Sequence, residues 1–178
     1  TAAHSTLYIN DTSSCTFQKN HSINKVYGNS LVHRHKIIQK KYTEDKDFYS
    51  IEASHNGYEK NFGYIHTRSI KIFKKEDKIF GFDKLKKTKE SQNKLNYFIR
   101  FHIYPSTKIV KTMAGNSVLI SLSNGEGWSL VSETNSFDIE KNIFLGNKNR
   151  IINNESVCIS GKINEETILI KWVIERVN

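Results

Sequence analysis

The sequence predicts an all-β fold, and three observations predict it. Apolar residues alternate with polar ones along most of the chain, which is the side-chain period of a strand. Clusters of Gly, Asn, Ser and Asp interrupt the alternation roughly every ten residues. No segment carries an apolar stripe at helical spacing; the nearest, Asp83 to Ser91, is charged all round.

Taken in order, Thr6 to Ile9 reads as the first strand, and Asn10-Asp11-Thr12-Ser13-Ser14 is a turn cluster. Lys25 to Tyr27 reads as a short strand before Gly28-Asn29, followed by Leu31 to Ile38 and Phe48 to Ala53. Asn56-Gly57 then breaks the pattern, since both residue types tolerate positive φ. Tyr64 to Phe73 alternates well, Glu76-Asp77-Lys78 turns the chain, and Lys78 to Leu85 returns as a hairpin. Lys86 to Asn96 is Lys-rich and reads as a solvated loop. Tyr97 to Tyr104 is the clearest strand, and Pro105 ends it because proline cannot continue a central ladder. Lys108 to Met113 and Ser117 to Leu122 form a second hairpin about Ala114-Gly115-Asn116. Trp128 to Glu133, Ile143 to Leu145, Arg150 to Asn153, Glu155 to Ser160 and Thr167 to Arg176 complete roughly a dozen strands. Many short antiparallel strands make a sandwich or a barrel, and strand count does not choose between them.

The length of 178 residues suits a single domain spanning 1–178. Thr1 reads as a cut inside a longer chain, because the apolar alternation Leu7-Tyr8-Ile9 begins almost at once. No stretch approaches the roughly 20 apolar residues of a membrane helix, so no membrane partner is expected. Hydrophobic residues are 37% and aromatics 11%, enough for a core in which aromatics carry much of the burial. The two cysteines, Cys15 and Cys158, form no framework, and free thiols are expected.

The formal charge of +9 suits a polyanionic partner. Lysine dominates and arginine is scarce, whereas nucleic-acid readers lean on arginine for bidentate contacts. No helix-turn-helix, zinc-finger or aromatic-basic RNA-binding pattern is present. An acidic polysaccharide therefore ranks above nucleic acid.

Candidate chemistry rests on histidines. No HExxH, GxSxG, phosphate-loop or dinucleotide fingerprint occurs. His33 and His35 form an H-x-H pair that a strand would place on one face. Flanking Arg34 and Lys36 oppose a cation there, which favours a solvated face. His66 and Arg68 share a strand face, and with His55 and Tyr58 of the preceding turn they make a basic rim suited to carboxylates or sulfates. An ordinary polar face accounts for them equally well. His102 shares a face with Arg100 and Tyr104 and reads as a half-buried histidine satisfied by a neighbour.

At this point the residues fall into a familiar order. Thr1-Ala2-Ala3-His4-Ser5-Thr6-Leu7 resembles the "aHnTl" segment of heparinase II/III-like proteins, with Ser5 where Asn is common. Ser54-His55-Asn56-Gly57-Tyr58 and Phe62-Gly63-Tyr64-Ile65-His66-Thr67-Arg68 follow in family order. Gly81-Phe82-Asp83-Lys84-Leu85 resembles the family's G-x-D-x-L turn, and Ile99-Arg100-Phe101-His102-Ile103-Tyr104-Pro105 its IRFHLHP strand. Asn124-Gly125-Glu126-Gly127-Trp128 and Ile143-Phe144-Leu145-Gly146 also fit.

The resemblance implies the C-terminal antiparallel β-sandwich of a polysaccharide lyase, behind an upstream α/α toroid, with the active cleft between them. Family members cleave uronic-acid polymers by β-elimination. A base removes the proton next to the carboxylate, a tyrosine typically protonates the leaving oxygen, and the carboxylate must be neutralised. None of those positions maps onto this chain, so no catalytic residue is assigned and the fragment alone is expected to be inactive. His55, Tyr58, His66 and Arg68 are the expected substrate contacts. Some members bind zinc, and only His4 maps onto a ligand; one ligand cannot hold the ion, so zinc is expected only in the longer parent. A bacterial lyase of this kind is expected to be periplasmic or secreted. The alternative is a non-catalytic carbohydrate-binding or structural sandwich, for which Trp128 and Trp172 are the aromatics to inspect.

Overall fold

Among the described residues, alternating burial organises fourteen strands, with a short helix between the fifth and sixth. The computed structural model describes residues 4–19, 22, 25–26, 28, 30–90, 94–133, 137–147 and 150–177. In chain order these are β1 (Leu7–Ile9), β2 (Thr16–Phe17), β3 (Leu31–His33), β4 (Ile37–Glu44), β5 (Phe48–His55), α1 (Glu59–Phe62), β6 (Tyr64–Phe73) and β7 (Lys78–Lys87). They continue as β8 (Leu95–His102), β9 (Lys108–Lys111), β10 (Ser117–Ser121), β11 (Gly127–Ser132), β12 (Phe137–Asn147), β13 (Arg150–Ile163) and β14 (Thr167–Val177). A four-stranded sheet, β1-β8-β13-β12, lies on an eight-stranded sheet, β4-β5-β6-β7-β14-β11-β10-β9; β2 and β3 form a separate pair. Every strand pairing is antiparallel. The fold is an antiparallel β-sandwich.

Two facing rows of apolar side chains make the core. The small sheet contributes Leu7, Ile9, Ile99, Val157 and Ile159, and the large sheet Leu85, Ile170, Trp172, Leu130 and Val118, all buried. Phe101 on β8 meets the Trp172 indole edge-on at 5.1 Å, joining the two layers. Edge-to-face rings of this kind add to the burial of their large surfaces. Gly81 stands directly opposite Trp172 in the ladder, and a Cβ there would lie 2.2 Å from the indole Cζ2. Glycine is therefore the residue that lets the indole lie flat on β7.

Four strands cover only part of eight. One ladder row, Tyr42–Ile51–Ile70–Gly81–Trp172, crosses five strands on the inner face of the large sheet. It runs from Trp172, 3% exposed, to Tyr42, 61% exposed, where β4 and β5 extend beyond the small sheet.

Several boundaries differ from the sequence reading. Leu31 to Ile38 is two strands, because the backbone leaves the ladder at Arg34–Lys36. Lys25 and Val26 are helical rather than extended, and Tyr27 lies outside the described residues. Lys86 and Lys87 continue β7, and Leu95 and Asn96 open β8, so the expected loop is shorter. Arg150 to Ser160 is one continuous strand, since β12 pairs with it almost throughout. The helix Glu59–Phe62 was not expected; Gly63, at φ 77°, closes it by donating its N–H to the Glu59 carbonyl.

Gly81→Ala is expected to displace the indole and to destabilise the protein by about 1–3 kcal/mol. A denaturant midpoint and tryptophan emission matching those of the unsubstituted protein would contradict this packing.

Candidate functional site

Ladder register brings the site together. His55 on β5 is the direct cross-strand partner of His66 on β6, and Arg68 on β6 is the partner of Asp83 on β7. His66 and Arg68 are two residues apart and so share the inner face. Trp172, opposite Gly81, reaches the same carboxylate from β14.

Asp83 is completely buried and its carboxylate is fully satisfied. Oδ1 accepts from His66 Nε2 at 2.7 Å and from Arg68 Nε at 2.8 Å. Oδ2 accepts from Arg68 Nη2 at 2.8 Å and from Trp172 Nε1 at 3.0 Å. Burial pushes the Asp83 pKa up, but the His66 hydrogen bond and the Arg68 charge outweigh it and hold it at about 2, below the ordinary 3.8. A buried charge persists only with this degree of pairing.

The proton positions follow from one backbone group. The Gly57 N–H donates to His55 Nδ1 at 3.1 Å, so the neutral His55 carries its proton on Nε2. That proton points at His66 Nδ1, 3.0 Å away. His66 Nδ1 is therefore the acceptor, and its Nε2–H is the group that donates to Asp83. A directed relay runs from the Gly57 amide through two neutral imidazoles to a buried carboxylate. Burial first, then the neighbouring His66 and His35, push the His55 pKa down from 6.5 to about 3. His35 extends the stack, its ring 4.7 Å from that of His55, and Cys15 Sγ lies 3.0 Å from His35 Nδ1.

The same residues clamp the segment before β1. Arg68 Nη1 donates to the Ser5 carbonyl, and the buried Tyr58 hydroxyl donates to the Leu7 carbonyl at 2.9 Å. The Ser5 hydroxyl accepts from the His102 backbone N–H at 3.0 Å. The stretch Ser5–Leu7 is thus held from both sheets.

The structure therefore gathers His55, Tyr58, His66 and Arg68, but it does not lay them out as an open rim. Tyr58 is 0% and His66 2% exposed, which removes both from the reach of a polymer. Arg68 has its guanidinium engaged by Asp83 and Ser5, and His55 is half-buried. His35 does not share a strand face with His33: it lies in the connection after β3, and the His33 side chain is outside the described residues. His102 is half-buried and accepts at Nδ1 from Asn142 Nδ2 at 3.1 Å. Trp172 is buried, and half-buried Trp128 donates to Glu126. Both cysteines are free thiols; burial pushes the Cys158 thiol up to about 12.

Sequence reasoning missed Asp83 and Trp172 as members of this network. Asp83 could have been found, because a turn at Glu76–Lys78 sets it opposite Arg68. Trp172 comes from a strand distant in sequence and carried no such signal.

The comparisons with known proteins fit this architecture. The family model described as heparinase II/III-like, C-terminal, matches residues 1–173. The chain belongs to the heparinase II/III-like C-terminal family. Among solved structures, a heparan sulfate lyase HepC from Pedobacter heparinus has a TM-score of 0.73 at 12% identity, over 99% of this chain and 24% of that one. A heparinase III has a TM-score of 0.67 at 15% identity, over 98% of this chain and 24% of that one. At such identity the likeness is one of fold, and the chain spans about a quarter of the length of these structures. No curated protein sequence matches.

A zinc ion does not fit this chain's described residues alone. His4 is exposed, and among the described residues no three His, Cys, Asp or Glu side chains are grouped to hold a metal. No described helix is long and apolar enough to cross a membrane.

Two outcomes follow from the network. Asp83→Asn, which leaves the Arg68 charge without its counter-charge and turns an amide N–H toward a donor, is expected to cost about 3–5 kcal/mol in urea unfolding; a loss under 1 kcal/mol would contradict it. The folded pKa of His55 lies below its ordinary 6.5, so the unfolded chain binds a proton that the native chain refuses between pH 6.5 and about 3. The stability His55 contributes is complete above pH 6.5 and is lost as pH falls. His55→Gln should flatten the stability-versus-pH slope across pH 6 to 4 by about one proton; an unchanged slope would show that His55 titrates normally.

Proposed function

We propose that this chain is the C-terminal sandwich of a polysaccharide lyase that cleaves a uronic-acid polymer by β-elimination, and that it forms one wall of the substrate cleft. The observation that carries the reading is the family match over residues 1–173, on a chain whose formal charge is +9. A basic wall attracts an acidic polymer and raises its encounter rate. The neighbours of like fold include a heparan sulfate lyase, which makes an acidic glycosaminoglycan a reasonable polymer class.

In this reading the chain supplies no base and no proton donor. Abstraction of the proton beside the carboxylate and protonation of the leaving oxygen belong to an upstream α/α-toroid part of the parent. The contribution of His55, Tyr58, His66 and Arg68 is positional. They fix Ser5 and Leu7, and with them the adjacent His4, against the large sheet. His4 supplies at most one ligand to any zinc in the parent. The fragment alone is inactive, and the parent is periplasmic or secreted.

The alternative is a non-catalytic carbohydrate-binding or structural sandwich. That reading wants exposed aromatics in a row, and of the two tryptophans to inspect Trp172 is buried on Asp83 while Trp128 is half-buried.

The test is to express the full protein that carries this chain and to follow ultraviolet absorbance of the unsaturated product on a panel of uronate polymers. Rising absorbance on at least one polymer is expected. No rise on any of them overturns the lyase reading and leaves the sandwich as a binding or structural module.

A further inference from the structure

The outer face of the small sheet holds a second feature with no part in the buried network. Register places Arg100 and His102 of β8, Asn154 and Ser156 of β13, and Glu140 and Asn142 of β12 on this one face. Together with Phe144, most of them line a groove of about 590 Å³. A second hollow adjoins it across Lys141, Asn142 and Asn154, toward Pro105–Thr107. The volume lies within the usual range of small-ligand sites.

The groove is built rather than merely open. Arg100 Nε donates to Glu140 Oε2 at 2.7 Å, and its guanidinium lies 4.7 Å above the Tyr8 ring. Asn142 Nδ2 donates to the buried Ser156 hydroxyl at 3.2 Å and to His102 Nδ1 at 3.1 Å. Asn154 Nδ2 donates to the Ile103 carbonyl. Each polar head is held by a neighbour, so little side-chain entropy is lost when a ligand arrives. Tyr104, 69% exposed, stands edge-on at 5.4 Å to Phe144, which lines the groove.

We propose that this groove binds one or two pyranose units of a polysaccharide chain, apart from any cleavage site. The chemistry is complementary. Fixed amides and an ion pair set donors and acceptors side by side, which is what vicinal sugar hydroxyls require. The exposed Tyr104 ring offers the planar apolar surface on which the C–H face of a pyranose packs. Arg100 is already neutralised by Glu140, so the cation left for a uronate carboxylate is Lys141, at the shared edge of the two hollows. A polymer gripped here is held on the sandwich while another stretch of the same chain is processed, raising its effective concentration. The proposal rests on the lyase reading only for the choice of probe.

The experiment uses the full protein and does not read cleavage. Migration is followed in gels cast with heparan sulfate or with alginate, and as a neutral control with dextran. Tyr104→Ala and Asn154→Ala are compared with Lys46→Ala in the distant β4–β5 turn. Retardation by a uronate polymer is expected, weakened roughly ten-fold by each groove variant and unchanged by Lys46→Ala. Equal retardation of the groove variants and the unsubstituted protein overturns the groove, and so does an absence of retardation on both polymers. Because Tyr104 is largely exposed, its variant also controls for folding by an unchanged thermal midpoint. Product absorbance, measured separately, reports the lyase reading, so either idea can fail alone.

Discussion

A single buried charge sets the terms for the centre of this fold. Asp83 has no exposed surface, and a carboxylate taken out of water costs several kcal/mol unless its lone pairs are met. Four donors from three residues meet them. Each donor in turn constrains its surroundings. Trp172 can lie over β7 only because residue 81 is glycine. His66 must keep its proton on Nε2, which requires an acceptor role at Nδ1 and fixes the His55 tautomer through Gly57. Arg68 also donates, from Nη1, to the Ser5 carbonyl. The carboxylate thereby links β5, β6, β7 and β14 of one sheet to the segment that enters β1 of the other.

That linkage gives the buried histidines a role different from ligand contact. Basic and aromatic residues close together in a sequence invite a binding-site reading, yet here the groups face inward and neutralise one another. The exposed chemistry lies on the opposite layer, where the ladder of the small sheet sets amides and an ion pair beside an exposed tyrosine. The sandwich separates the two tasks: one sheet's inner face fixes geometry, and the other sheet's outer face meets solvent.

Much of the fold was legible because its long hairpins are local. Tyr64 to Phe73 and its return strand follow from alternation and a charged turn, and the paired residues His66 and Arg68 follow from a period of two. The break at Arg34–Lys36 was not legible: His35 there stacks on His55, a partner twenty residues away that no local pattern announces. The burial of Tyr58 was hidden for the same reason: a tyrosine beside Asn56-Gly57 reads as turn surface, and only the Leu7 carbonyl explains where its hydroxyl goes. The groove on the small sheet needs β12, β13 and β8 in register, and those strands are distant in sequence. Trp172 was only an aromatic to inspect, and no local pattern announces that its N–H has a buried acceptor.

The most direct test of this account is the tautomer and charge of the two relayed imidazoles, read from ring ¹⁵N chemical shifts of the native protein at neutral pH. The account predicts that His55 and His66 are both neutral with the proton on Nε2, and that the His66 Nε2–H resonance is shifted downfield by an ionised Asp83. An Nδ1–H tautomer at either ring, or an imidazolium at His55, would contradict the relay.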